Sequence, residues 1–408
     1  MARSNGAAST QAPRLDDELG RRHSGTFDAA RDRGYNSSVF AYTRHLARAL
    51  LALVLATTLG MQLWALRAPH ALHLPAQQRV ISNNPKLGIH TRLSGVADEA
   101  YIRQSLAQAR EMGAGWVVEL FPWAYAQPRS RYGYDWGGFD MIIQHAARQG
   151  LTVVARLDIV PEWARPAGSS DRLLDEAHYA DYAEYVAAFL ARYRPLGVRH
   201  VIVWNEPNLA FEWGRRRPEP AAYAALLKAV YPRAKAAAPD AVVLAAGLAP
   251  VTDTTSDGSD HQSDLAYLAE LYAAGAAPFF DMLAAHAYGA QQPPEAAPAP
   301  ETINFRRPEL LHAIMAAHAD GAKPIMITEG GWNDSSRWHG AVLPSQRLRW
   351  TVAAYAMART RGWLAAVCLW QLGTPWATHT YQDNWSFVAP DGTPKAIYWA
   401  VRAASGAP

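Results

Sequence analysis

Two segments of this 408-residue chain place an acid at the end of an apolar run: HVIVWNEPN, with Glu206, and PIMITEGGW, with Glu329. In the first, Pro207 stops the run directly after Asn205 and Glu206. In the second, Gly330 and Gly331 let the chain turn sharply after the acid. A single glutamate at a strand end is commonly a solvated loop carboxylate or an ion-pair partner. Two that face one cavity can do more. A protonated carboxyl can assist a leaving oxygen while an ionised one attacks an anomeric carbon, or activates water beside it, which is the chemistry of glycosidic-bond hydrolysis. Carboxyls ~5–5.5 Å apart correspond to a retaining double displacement and ~6.5–9.5 Å to inversion, and the spacing in sequence leaves both open.

Other polar and aromatic residues fall at similar positions. Asp158 in ARLDIVPEW and His90 in GIHTRL end apolar runs, and both can bond sugar hydroxyls. His286 and Tyr288 in LAAHAYG are two apart, hence on one face of an extended strand. Trp123, Trp163 and Trp332 begin the segments that follow three such runs, where an indole face can stack on a pyranose. Trp136, Trp350, Trp363 and Trp399 sit in or beside helix-period stretches and are expected to pack. No HExxH or HxH pattern occurs, so neither a metal nor another cofactor is expected. Gly-x-Ser-x-Gly is absent, which disfavours a serine nucleophile.

These residues need a scaffold that brings many strand ends together. Eight β-rich runs are expected: Leu87–Thr91, Trp116–Phe121, Thr152–Asp158, His200–Asn205, Val242–Gly247, Met282–His286, Ile325–Thr328 and Ala366–Gln371. Amphipathic stretches follow each, near 98–112, 138–149, 178–193, 219–237, 263–274, 307–319, 346–361 and 394–403. Strict strand–helix alternation implies parallel strands joined by right-handed crossovers, and eight units favour an α/β fold of the (β/α)8 TIM-barrel type. No GxGxxG opens the first unit, which disfavours a dinucleotide fold. In such a barrel the acids at the C-terminal strand ends converge on one cavity.

VWNEPN followed 123 positions later by ITEGGW resembles clan A glycoside hydrolases, over roughly residues 86–408. With HAYG on the sixth run, the chain is most similar to glycoside hydrolase family 39 and related bacterial exopolysaccharide-associated glycosidases. The resemblance implies a retaining enzyme with Glu206 as acid/base, Glu329 as nucleophile and Asn205 on the sugar 2-hydroxyl. It further implies that Tyr288 donates its hydroxyl to the nucleophile and that Trp370, in CLWQLG, floors the −1 sugar. Endo-action on a bacterial polysaccharide is the leading expectation. Transglycosylation by the same intermediate, or a non-catalytic glycan-binding barrel in a polysaccharide-biosynthesis and export complex, are the alternatives.

The remaining chain differs in character. Residues 1–85 hold 10 Lys+Arg and 5 Asp+Glu, leaving 29 basic and 31 acidic residues for 86–408 from totals of 39 and 36. The larger part therefore lacks the basic footprint of a nucleic-acid binder. Residues 1–45 read as a disordered polar tail. Ala49–Leu66 is uncharged and about 27 Å long as a helix at ~1.5 Å per residue, so 46–67 is expected to be a transmembrane signal anchor, with 68–85 a linker. Four basic residues precede the run and three follow it, a weak vote for a cytoplasmic tail. Arginine and alanine enrichment suits a bacterial source, so the expected arrangement is a single-pass inner-membrane protein with a periplasmic barrel. One cysteine, Cys368, excludes an intrachain disulfide.

Overall fold

A computed structural model describes residues 31–65 and 72–408, the side chains of 31–40 and 59–65 excepted. It divides the chain into two compact units, residues 1–71 and 72–408. In the second, eight parallel strands close into a barrel: β1 (Leu87–His90), β2 (Trp116–Leu120), β3 (Thr152–Leu157), β4 (His200–Val203), β5 (Val242–Leu248), β6 (Met282–Tyr288), β7 (Ile325–Gly331) and β8 (Leu364–Leu369). Each pairs with its neighbour in sequence, and β8 returns to β1 through Leu87↔Val367 and Ile89↔Leu369. The fold is the (β/α)8 barrel expected.

The first unit contributes one helix, α1 (Arg31–Ala65). Those of the barrel are α2 (Glu99–Glu111), the short α3 (Trp123–Ala126), α4 (Gly137–Gln149), α5 (Tyr179–Tyr193), α6 (Pro220–Ala237), α7 (Asp264–Ala273), α8 (Pro308–Ala317), α9 (Pro344–Thr360) and α10 (Ala396–Ser405). The sequence dictates their ends and faces. The Asp98 side chain accepts from the Ala100 and Tyr101 amides to start α2, and Gly150 takes a left-handed φ of 73° to end α4. Along α5, Tyr182, Tyr185, Val186, Phe189, Leu190 and Tyr193 recur at helical spacing, and all are buried.

Two apolar layers result. Val118, Val154, Ile202, Leu244, Met282, Met326 and Cys368 fill the barrel interior, while a larger cluster lies between strands and helices. A side chain at Gly88 would collide with Cys368 Sγ, so this glycine makes room for the free, buried thiol.

Strand ends differ from expectation where they matter to the site. β4 stops at Val203 rather than Asn205, because Trp204 and Glu206 take positive φ values of 75° and 38°. β6 and β7 run further than expected, since they stay paired through His286↔Glu329 and Tyr288↔Gly331.

In the first unit, α1 begins at Arg31, upstream of the boundary drawn at 45, and residues 1–30 of the expected tail lie outside the described residues. Once nucleated, a helix extends at little cost through Ala-, Leu- and Arg-rich sequence such as 41–56. Among the described residues no helix is long and apolar enough to cross a membrane, and of the expected anchor at 46–67 the side chains of 59–65 and all of 66–67 lie outside the described residues.

Candidate active site

The two glutamates meet at the C-terminal mouth of the barrel. One side-chain atom from each of Glu206, His286 and Glu329 lies within 4.8 Å of the others. An oxygen of each carboxyl therefore lies within 4.8 Å of an oxygen of the other, nearer the ~5–5.5 Å spacing of a retaining pair than the ~6.5–9.5 Å that admits a water for inversion.

Glu329 sits inside β7 and is 7% exposed. Its Oε1 accepts from the Arg156 guanidinium at 2.6 Å, and its Oε2 accepts from the Tyr288 hydroxyl at 2.9 Å. His90 Nε2 and His286 Nδ1 each lie 3.9 Å away. Burial by itself would push this carboxyl up, but His286, Arg156, His90 and the Tyr288 bond outweigh it and hold it down at about 2. Burial depresses His90 itself to about 3. Burial and the two nearby glutamate charges raise Tyr288 well above the usual phenol range, so it stays a proton donor.

Glu206 follows the end of β4 on a turn, where its amide donates to the Gly247 carbonyl at 3.0 Å. One carboxylate oxygen is 2.7 Å from His286 Nδ1. Burial would lower His286, but the Glu329 charge and the Glu206 bond outweigh it and raise the imidazole. Gly247 is required here, since a Cβ would overlap the His286 ring. The trio has the residue types of a metal site, yet both Glu329 oxygens are occupied by Arg156 and Tyr288, and a guanidinium beside them repels a cation. The donor set suits proton transfer.

The other expected residues divide into two groups. Asn205 belongs to the site: it is 5% exposed, and its Oδ1 accepts from Arg156 at 3.2 Å. Trp370 is half-buried at the end of β8, edge-to-face with His90 at 4.6 Å. Trp163 is half-buried and donates to the Gln127 carbonyl at 2.7 Å.

Asp158, His90, Trp123 and Trp332 are buried, although His90 Nε2 lies 3.9 Å from Glu329 Oε1. Asp158 is fully buried, with its Oδ2 3.4 Å from Arg156 and 3.5 Å from Arg172, so it holds Arg156 rather than a sugar. His90 is fully buried beneath Trp370, with Nδ1 2.7 Å from the Thr91 carbonyl. Trp123 has no exposed surface. It donates to Gln127 Oε1 at 2.7 Å and packs among Trp163, Tyr182 and Tyr185. Trp332, 2% exposed, donates to the Gln292 carbonyl at 2.9 Å and occupies space that a side chain at Gly289 would fill. Both indoles follow strand ends in sequence, but the apolar layer around the barrel offers them more burial than the mouth does.

Residue-by-residue reading missed Arg156. It lies two before Asp158 in β3, and a charge inside the apolar run TVVARL is the signal that could have found it. It also missed Trp385, whose ring lies 5.2 Å from that of Tyr288, and the Arg172–Glu212 pair, in which burial pushes Glu212 up to about 7.

No protein-family profile and no curated protein matches the chain. Solved structures do. A family 39 glycoside hydrolase from the gut symbiont Bacteroides cellulosilyticus WH2 superposes with a TM-score of 0.63 and 18% identity over 81% of this chain. The match spans only 65% of that longer chain. A monomeric β-xylosidase from Caulobacter crescentus CB15 gives 0.56 and 20%, covering 79% of this chain and 70% of its own. A GH5_18 enzyme from Bifidobacterium longum subsp. longum, solved with Manβ1-4GlcNAc, gives 0.57 and 15%, covering 79% of each. These likenesses establish the fold class, a (β/α)8 barrel of the kind found in glycoside hydrolase families 39 and 5.

Proposed function

We propose that the barrel is a retaining glycoside hydrolase of clan A type, with Glu329 as nucleophile and Glu206 as acid/base. The observation that carries this is the close pair of carboxyls, one of which is held ionised by Arg156 and Tyr288. In the first step a Glu329 oxygen bonds to the anomeric carbon, the glycosidic C–O bond breaks, and the Glu206 proton passes to the leaving oxygen. In the second, Glu206 takes a proton from water, the water oxygen bonds to the anomeric carbon, and the Glu329–carbon bond breaks. Asn205 is poised for the 2-hydroxyl and Trp370 for the floor of the −1 sugar. The test is the anomeric configuration of the first-formed product by NMR: retention supports the assignment, and inversion or no product from a broad glycan panel overturns it.

Endo-action on a bacterial exopolysaccharide is supported by exposed Tyr125, Phe211 and Trp376, which follow β2, β4 and β8 and offer apolar faces for a long glycan. Release of oligosaccharides from the polymer interior is then expected, and monosaccharides alone would count against it. Interception of the intermediate by a sugar hydroxyl would appear as products longer than the substrate. An extended glycan is met outside the cytoplasm, so we place the barrel in the periplasm. Alkaline phosphatase fused after Pro408 should then be active in cells, and an inactive fusion would place the barrel in the cytoplasm.

A further inference from the structure

We propose that Arg92 is a specificity residue that receives the carboxylate of a uronosyl unit, so that the glycan cut at this site is acidic. This rests on the glycosidase reading of the same mouth and adds a substrate class to it.

Arg92 lies in the loop after β1, with its guanidinium 5.3 Å from the centre of the Trp370 ring that would floor the −1 sugar. It is half-buried, and among the described residues it makes no hydrogen bond and no ion pair. The other two arginines of the mouth are committed: Arg156 to Glu329 and Asn205, and Arg172 to Glu212 and Asp158. A partly desolvated cation with no counter-ion in contact is costly: burial and the neighbouring Arg156 charge disfavour the charged Arg92, outweighing the more distant attraction of Glu119, Glu329 and Asp158. Such a cost is tolerated when a ligand supplies the missing anion.

Arg92 is also rigidly presented. Glu119 at the end of β2 is 1% exposed and could have paired with it. Its carboxylate instead accepts from Thr91 Oγ1 at 2.6 Å, the Leu93 amide at 3.0 Å and the Ser94 amide at 2.9 Å. The loop around Arg92 is thereby held through the Thr91 hydroxyl and the Leu93 and Ser94 amides while the Arg92 side chain makes no hydrogen bond or ion pair, which is the arrangement expected of a preformed anion receptor. The guanidinium fork can hold two oxygens of one anion bidentately, a geometry that the carboxylate of a uronosyl unit offers, and the sulfated arm of the test separates it from an ester anion.

The probes are a polyuronate and its carboxyl-reduced counterpart, identical in linkage and differing only in charge. Full-length Glu206→Gln, which keeps the Glu329 charge, is used for binding by calorimetry, and the wild type for turnover. The expected result is tighter binding and higher kcat/KM for the acidic polymer. Arg92→Met should shrink that preference by roughly 30-fold, the usual scale for a lost charge-assisted bond, and Arg92→Lys should restore part of it. Thermal melts verify that the variants fold. Equal affinity for the two polymers, an unchanged preference in Arg92→Met, or a response only to a sulfated polymer each overturns the proposal. Arg92-dependent binding of the acidic polymer without cleavage of either would instead sink the glycosidase reading and leave the receptor standing.

Discussion

The C-terminal ends of β4 and β7 each present one glutamate to the same cavity but hold it by different means. Glu329 is part of a strand, buried, and bound on both oxygens by side chains from β3 and β6. Glu206 lies beyond its strand on a turn, is more exposed, and has one close partner, His286. The difference teaches how one fold gives two identical side chains two different environments, which is what the two proposed roles require. Cationic and hydroxyl partners keep the first ionised, which suits the nucleophile proposed above, while the second, more exposed and with one close partner, is the more accessible to substrate and water.

Breaking the comparison at β7 should have the largest effect. Glu329→Gln is expected to lower turnover by ~10⁴-fold or more on every glycoside, since no nucleophile remains. Steady-state rates across substrates check this. At β4 the loss should depend on the leaving group: Glu206→Gln is expected to cost ~10²–10⁴-fold on natural linkages and far less on activated aryl glycosides. Equal losses on both would contradict the acid role.

Trp123→Ala should cost about 3–5 kcal/mol of stability in a denaturant titration, because it empties a fully buried site. Turnover per folded molecule should fall to a similar extent on polymer and on small glycosides, which distinguishes a core residue from a subsite.

The smallest expected effect sharpens the contrast. Tyr288→Phe removes one of the bonds that favour ionised Glu329, so a loss of ~10–100-fold in kcat is expected. The acid limb of the pH profile should move upward, because a carboxyl held at about 2 then titrates at a higher pH. The same depressed carboxyl contributes stability that is complete above its ordinary value of 4.5 and lost as pH falls toward about 2. Acid unfolding of Tyr288→Phe should accordingly begin at higher pH than that of the wild type.

Much of the barrel was legible because strand and helix periodicities are local. All eight strands and the helices that follow them occur where alternation of apolar runs and amphipathic stretches predicts, and the errors are of one to three residues at strand ends. Glu206 and Glu329 were legible because Pro207 and the Gly330–Gly331 pair punctuate their runs. The direction of a side chain was not. Trp123, Trp332, His90 and Asp158 begin or precede loops just as site residues do, yet their side chains turn into buried layers or buried ion pairs, and no local pattern distinguishes the two outcomes.

The sequence by itself therefore determined the order of elements, the barrel class and the placing of Glu206 and Glu329 at strand ends, since each depends on residues near one another in the chain. Only the tertiary structure decided how close those acids lie and which groups surround them. Arg156, Tyr288, His286 and Glu329 come from three different strands, and Arg92 and Glu119 from the ends of two others. Closure of the barrel brings them together, so the charge each carries is a property of distances that linear spacing does not contain.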